Sequence, residues 1–454
     1  MHSIPRRARP FAVATLLLGL APLCPGRAAA QPEMLDDSTV VEHWTLRCGL
    51  KVVTRHVPLA QSTTLTVCYP VGSDQDPPGR EGIASLLAQT AFMAGAGDVP
   101  ERTVQEMQGL RPLGWDVKVT REVTRLTESA SEEQFPGVLR QVCQRLRGVK
   151  VTADVLRAAT AAVKADLVTD YQGDIAHSLY FLAGELARGT TAEATSRFAS
   201  GKGLDGLSVR EVQDELRRRY VPAGAVLCIV GDLQDYDIHR ILEKELGSLP
   251  AATPPTLPTR GRTSAQTSLR REGIAAPVGA LGIVAPALGD TLHPSFYAYV
   301  LLLAAYCNTQ WEPAAPPLTT RFQFSLSDDP GLARFYPPVT STAQPSVVET
   351  FNSTVTDYAK GEPDPAQAER LLQAVQWLLG APLPPAVLTQ IRQDPPSLAA
   401  LCSNMAAREH YGDEAFWAEY RRRVLHRIGP SDFYWNSYVM RDVQQVQLML
   451  LPGR

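Results

Sequence analysis

Several things are scarce in this 454-residue sequence, and each scarcity closes off a class of function. Charge of one sign is scarce. Forty-four basic residues stand against 47 acidic ones, a formal net charge of −3, so no strong field points to nucleic acid or an anionic membrane. The short basic runs Arg217-Arg218-Arg219 and Arg421-Arg422-Arg423 fall in amphipathic helical stretches and read as solvated helix faces. Paired cysteines are missing. The seven cysteines are widely spaced with no CxxC, which leaves a zinc ribbon or dithiol redox motif unsupported. Most sit in apolar contexts such as Val226-Leu227-Cys228-Ile229-Val230 and read as small buried hydrophobes. An exported chain can oxidise a pair, but spacing does not say which. None of the eight histidines has another at i+3 or i+4, and His177 is the one worth inspecting as a ligand. There is no Gly-x-Ser-x-Gly elbow, no phosphate-binding glycine loop and no dinucleotide fingerprint. Long hydrophobic runs are also missing beyond the N-terminus. The nearest candidate, Tyr297 to Tyr306, is too short to span a bilayer.

What is present is an ordinary globular composition, 44% hydrophobic and 20% charged, long enough for two or more domains. The first 30 residues read as an export signal. Arg6, Arg7 and Arg9 form a positive start, Phe11 to Leu23 is apolar, and Ala28-Ala29-Ala30 supplies small residues for cleavage before Gln31. The alternative is a retained anchor, disfavoured by the short apolar stretch. Cys24 follows Leu23, where lipid attachment wants a small residue, and Arg6-Arg7 hints weakly at twin-arginine export. The expected location is periplasmic or secreted, with no integral membrane segment once the signal is removed.

A proline-rich stretch at 250–267 has linker composition and no apolar periodicity. It divides the mature chain into an N-terminal domain, 31–249, and a C-terminal domain, 268–454. The two parts resemble each other. Val67-Cys68-Tyr69-Pro70-Val71-Gly72-Ser73 corresponds to Val284-Ala285-Pro286-Ala287-Leu288-Gly289-Asp290, and Tyr220-Val221 to Tyr438-Val439. The offset is nearly constant, 217 and 218 residues (284 − 67 and 438 − 220), which favours an internal duplication.

In the first part, strands are expected at Leu46–Arg55 and Thr63–Val71, and a hairpin at Asp116–Val119 and Val123–Ser129. Helices are expected at Arg80–Ala94, Glu101–Gln108, Gln134–Arg147, Ala153–Tyr171, Ile175–Ala187 and Val209–Tyr220, before a closing strand from Ala225 to Val230. A second closing strand is expected from Val443 to Leu451. Mixed order of this kind predicts α+β domains with helices on one face of a sheet.

The segment Gly72-Ser73-Asp74-Gln75-Asp76-Pro77-Pro78-Gly79-Arg80-Glu81-Gly82-Ile83-Ala84 resembles the approach to the catalytic helix in the insulinase and pitrilysin family of zinc peptidases. That family includes the mitochondrial processing peptidases. Leu46-Arg47-Cys48-Gly49-Leu50-Lys51-Val52-Val53 resembles its first strand. Tyr220-Val221-Pro222 through Val230-Gly231-Asp232 resembles the closing strand of its first domain. These matches span most of the first half at the right spacing and continue more weakly beyond it. The resemblance implies two homologous α/β-sandwich domains related by duplication.

The family's active members carry an inverted His-x-x-Glu-His motif on that helix, two zinc ligands and a general base on one face. Here the window reads Ser85-Leu86-Leu87-Ala88-Gln89. Ser85 and Gln89 stand at the ligand positions and Ala88 at the base. A hydroxyl and a neutral amide are poor zinc ligands, and alanine moves no proton. The apolar frame of Ile83, Leu86, Leu87 and Phe92 is kept, as in a helix retained for packing. The later acidic ligand falls at Asp166, one methylene shorter than the family's Glu, and reads as a solvated or salt-bridged carboxylate. Asp170, Asp174 and Glu185 read as helix-surface acids.

In the second half the family's substrate-binding Arg and Tyr align with Ser327 and Arg334, in Thr320-Arg321-Phe322, Leu326-Ser327-Asp328 and Gly331-Leu332-Ala333-Arg334. Arg334 and Tyr336 are near enough to substitute. A Pro- and Ala-rich insertion, Thr309 to Pro317, replaces the family's glycine-rich approach.

The expectation is therefore a non-catalytic homologue, without the zinc its family uses. It would partner an active peptidase of the same family and help to form a peptide-binding chamber. Two alternatives stay open: a residual zinc endopeptidase using Asp166 and unrecognised ligands, and a stand-alone peptide-binding protein.

Overall fold

The fold is that of a computed structural model, which describes residues 40–168, 175–190, 200–251, 253–254, 263–272, 274–311, 318, 321–339, 345–360, 385–426 and 445–453. The export signal, Asp170, Asp174, Thr320, the Tyr438-Val439 pair, half of the linker and most of the 309–317 insertion lie outside these residues.

The first half opens with β1 (Val40–Thr45) and β2 (Lys51–His56), an antiparallel pair joined by a tight turn in which Gly49 takes φ 85°. The strand expected from Leu46 thus begins only at Lys51, because Leu46–Leu50 is that turn. β1 was not legible in advance: its exposed edge carries too little alternation to read as a buried strand. Next come β3 (Thr63–Tyr69), α1 (Ile83–Met93), α2 (Val104–Leu110), and the hairpin of β4 (Trp115–Val119) and β5 (Thr124–Ala130). Then follow α3 (Phe135–Arg147), α4 (Ala153–Val168), α5 (Ile175–Ala187), α6 (Val209–Arg219), β6 (Val226–Gly231) and α7 (Ile238–Leu246), the last not anticipated. A capping box at Ser208 and Glu211 starts α6, satisfying backbone donors at both ends of the motif. At its other end, Arg217 and Arg218 are solvated but Arg219 is not. It turns inward to Glu215 at 2.5 Å and donates to the Gln75 carbonyl.

The second half contains β7 (Ala265–Arg271), β8 (Val278–Val284), α8 (His293–Gln310), β9 (Phe322–Ser325), β10 (Asp329–Phe335), α9 (Pro345–Lys360), α10 (Pro385–Gln393), α11 (Pro395–Tyr411), α12 (Glu414–His426) and β11 (Gln445–Pro452).

The two sheets share one plan. The first runs β1-β2-β6-β3-β5-β4 and the second β7-β11-β8-β10-β9. Setting β1 aside, each strand of the first has a counterpart in the second, in the same order. β2 and β6 pair in parallel, as do β7 and β11, and every other contact is antiparallel. The offset repeat therefore marks equivalent strands: Val67 lies in β3 and Val284 ends β8.

Side-chain alternation along β6 shows how each sheet is covered. Leu227 and Ile229 join the core made with α1, α3, α4, α6 and α7, through residues such as Leu86, Val142, Val163, Leu216 and Leu242. Val226, Cys228 and Val230 point the other way and meet Leu398, Cys402 and Ala406 of α11. In the second sheet, Leu281, Ile283 and Met449 pack under α8, α9 and α12. Ala280, Leu448 and Leu450 face Ile175, Leu179 and Leu182 of α5. The face of each sheet away from its own helices is thus closed by a helix from the other half: α11 covers the first sheet and α5 the second. Leu398, fully buried in that exchange, contributes about 1.5–3 kcal/mol through removal of its side chain from water. No helix among the described residues is long and apolar enough to cross a membrane.

Candidate functional site

The approach to α1 is built from specific backbone demands. β3 ends at Tyr69 and the chain closes on the β4–β5 turn at Gly72, where any Cβ would overlap the Arg121 carbonyl. Ser73 and Asp74 donate their backbone N–H groups to the carbonyls of Thr120 and Arg121 at 3.0 and 2.9 Å. Asp76 then caps the helix from outside. Its carboxylate accepts from the N–H of Gly82 at 2.7 Å and of Ala84 at 3.0 Å, two donors that the first helical turn cannot satisfy internally. Gly82 sits at φ 95°, a conformation that favours glycine.

The helix that follows is buried along nearly its whole length. Ser85, Ala88 and Gln89 share one face by their spacing. Ser85 is half-buried, Ala88 is sealed from solvent and Gln89 is 6% exposed, with its Nε2 buried and without a hydrogen-bond partner among the described residues. α4 packs against α1, but Asp166, near the α4 C-terminus, is exposed and has contacts of its own. The insulinase-type fold implies zinc on this face. A hydroxyl, a methyl and a carboxamide give it no thiolate, imidazole or ligating carboxylate, so these side chains do not fit the metal. His177 lies on α5, the helix applied to the second sheet. Among the described residues, no group of three or more His, Cys, Asp or Glu is placed to hold a metal ion.

The second-half residues lie in an interior charge lattice. Asp328 accepts from Lys118 Nζ on β4 at 2.8 Å and pairs with Arg125 on β5, whose side chain is 1% exposed. Asp329 pairs with Arg334 at 2.6 Å and stands 3.6 Å from Arg121 Nε, on the β4–β5 turn. Arg334 also donates to the carbonyls of Tyr180 and Leu332, each at 3.0 Å, and its guanidinium lies 3.9 Å from the centre of the Tyr180 ring. Burial alone would lower the Arg334 pKa, but the Asp329 carboxylate together with the Tyr180 and Tyr336 hydroxyls outweighs that and holds it above the ordinary arginine value. α5 passes beside this lattice at Gly184, where a Cβ would overlap Arg121 and meet Arg334 Nη2 at 2.9 Å. Ser327 is buried in the same turn. Tyr336 is wholly buried and donates its hydroxyl to Gln323.

Sequence reasoning singled out Ser327 and Arg334 but missed Asp328 and Asp329, the two carboxylates that organise the turn. The available signal was two adjacent acids at the turn of the hairpin. The first-half partners of Asp328 lie about 200 residues away, 203 for Arg125 and 210 for Lys118, and spacing cannot reveal them. The structure thus joins the β4–β5 hairpin of the first half to the β9–β10 turn of the second through ion pairs. A surface hollow of about 590 Å³, lined by Gln61, Ser131, Glu132, Glu133, Pro136 and Tyr236, shares no residue with α1 or this lattice.

The sequence matches no protein-family profile and no curated protein sequence. Solved structures do match over nearly the whole chain. An M16-like peptidase from Alicyclobacillus acidocaldarius is 16% identical, with a TM-score of 0.65, covering 92% of this chain and 99% of its own. A peptidase M16 inactive domain from Pseudomonas fluorescens is 14% identical, with a TM-score of 0.63 and coverages of 91% and 98%. The chain has the insulinase-type peptidase fold. The periplasmic protease PqqL from Escherichia coli, 12% identical at a TM-score of 0.66, is covered over 90% of this chain but only 47% of its own, so one copy of this fold spans about half of that enzyme. The motif resemblance is what places α1 at the catalytic position of that fold.

Proposed function

We propose that this chain is a non-catalytic peptidase homologue that acts through an active peptidase of the same fold, in the periplasm or another exported compartment. One observation carries the reading. The α1 face that bears zinc ligands and a general base in active members bears Ser85, Ala88 and Gln89 here, buried in a helix whose apolar frame is complete. The chemistry is lost where the packing is kept, which is what a requirement for the fold alone would leave.

The second half supports the same reading. Arg334, the side chain best placed to replace a substrate-binding donor, is committed to Asp329 and Tyr180. The role left to the chain is one wall of a shared peptide chamber, or stabilisation of the active subunit by mass action. The likeness of this fold to a peptidase M16 inactive domain and to a periplasmic protease is consistent with both parts.

The direct test is co-expression with an exported active peptidase of this fold from the same genome, followed by size-exclusion chromatography and a peptide-cleavage assay. The expected result is co-elution through an interface burying at least about 1,000 Å² in total, with cleavage that depends on both chains. Separate elution together with unchanged cleavage would overturn the proposal. Fractionation of cells carrying the native gene checks the compartment separately.

A further inference from the structure

Six cysteines lie among the described residues and all are buried. Two of them meet across the helix exchange that joins the halves. Cys228 lies in the middle of β6, on the sheet face that α11 covers. Cys402 lies within α11, and its Sγ is 3.4 Å from the carbonyl oxygen of Cys228 and 3.4 Å from that of Thr64 on the neighbouring strand. The Cys402 thiol therefore lies against the Cys228 residue itself, within one buried cluster. α11 presents Leu398, Cys402 and Ala406 to the sheet, and the small residues let the helix lie close. Cys68 shares this face but sits elsewhere in register, opposite Val226 rather than Cys228.

We propose that Cys228 and Cys402 form a disulfide that bolts the second half's helix to the first half's sheet. The reaction is thiol–disulfide exchange with an oxidant of the disulfide class, either a protein dithiol oxidase or oxidised glutathione. One cysteine thiolate attacks the oxidant's disulfide, giving a mixed disulfide and releasing one thiolate of the oxidant. The second cysteine thiolate attacks the protein sulfur of that bond and expels the other. The protein loses two protons and two electrons, and the oxidant is reduced to two thiols.

Both sulfurs are shut off from solvent in the folded chain, and burial disfavours the thiolate at Cys228. The exchange therefore takes place before α11 docks, and folding then seals the bond. The bridge joins residues 174 apart, so it restricts the unfolded chain strongly. The proposal draws on the exported reading only for the natural source of oxidant.

The full chain, purified under reduction and unfolded, is refolded in a mixture of reduced and oxidised glutathione. It is then denatured, treated with a maleimide and mapped by mass spectrometry. The expected result is two fewer reactive thiols than in the reduced chain, one linked peptide pair containing Cys228 and Cys402, and a mass lower by two hydrogens. The oxidised protein should melt several degrees higher than the reduced one, and dithiothreitol present during unfolding should abolish the difference. A Cys228→Ser, Cys402→Ser double variant should show no such difference. The Cys228→Ala, Cys402→Ala pair serves if the serines prevent folding. A refolded chain with the full set of reactive thiols, or a bridge that uses Cys68 instead, would overturn the assignment. Because glutathione supplies the oxidant in the tube, that failure would leave the export reading standing, and fractionation tests export by itself.

Discussion

Where β9 turns into β10, Arg334 Nη2 donates to Asp329 Oδ2 across 2.6 Å, with both side chains closed to solvent at 1% and 3% exposure. Asp329 faces Arg121 as well, so one carboxylate holds two buried guanidinium groups from different halves of the chain. Removing it leaves cationic charge in a low-dielectric interior. Asp329→Ala is expected to cost about 3–5 kcal/mol of stability, measured by urea unfolding. Asp329→Ala combined with Arg334→Met should recover part of that loss, because the second change removes one of the stranded charges. A single variant within about 0.5 kcal/mol of the parent would mean that the lattice contributes nothing.

Acid should attack the neighbouring pair. Burial by itself raises the Asp328 pKa, but Lys118 and Arg125 outweigh it and hold the carboxyl well below the usual aspartate range. A folded pKa below the unfolded one means that the stabilisation is fully present above the unfolded value, about 3.9, and is lost as pH falls from there towards the folded value. Urea midpoints of the parent and Asp328→Asn should therefore differ most at pH 5–7 and converge as pH drops below about 4. A constant difference across that range would show that Asp328 does not titrate as assigned.

At the other end of the site, Asp76 holds the start of α1 through two charged hydrogen bonds. Asp76→Ala is expected to lower stability by about 1–2 kcal/mol, the range for loss of a helix cap. Asp76→Asn keeps an acceptor oxygen and should recover part of this. Equal losses in both variants would show that charge, rather than acceptance, decides the cap.

Local chemistry was legible where it repeats along the chain. The continuous apolar run at Val226–Val230, the glycine turn at Gly72 and the helical spacing of Ile83, Leu86, Leu87 and Phe92 each led to the right element. The 217-residue offset between Val67 and Val284 pointed to the shared strand order. The closing of each sheet by the other half's helix was not legible, because nothing in the pattern of α5 or α11 says which sheet receives its apolar face. Family alignment put Arg334 among substrate donors, and spacing had no means of placing Tyr180, 154 residues away, beside it. Arg219 misled for a related reason. Its neighbours Arg217 and Arg218 are solvated, and only the Gln75 carbonyl and Glu215 draw the third arginine inward.

The donor set on α1 makes a statement about metal content. After dialysis at neutral pH, the purified protein should carry well under one zinc per chain, and Asp166→Ala should leave that value unchanged. A full equivalent of zinc that survives dialysis in the parent and vanishes in the variant would establish the residual-peptidase alternative.

Gln89 offers the sharpest separation between a helix kept for packing and one kept for a task. The residue is 94% buried and its amide nitrogen has no hydrogen-bond partner among the described residues. Leaving a buried donor unsatisfied costs about 1–3 kcal/mol, whereas an apolar side chain of similar size avoids the penalty and keeps the contacts of the helix. If α1 only packs, Gln89→Leu should raise stability by about 1 kcal/mol and leave association with the active peptidase intact. The measurements are a urea midpoint for the free chain and co-elution with its partner. If the amide instead meets a group that arrives with the partner or a bound peptide, the free chain is still stabilised but association weakens. That pair of results would move Gln89 from the frame of the helix into its function. A loss of stability in the free chain would show that the amide is already satisfied within the fold, and the packing argument for this face would fail.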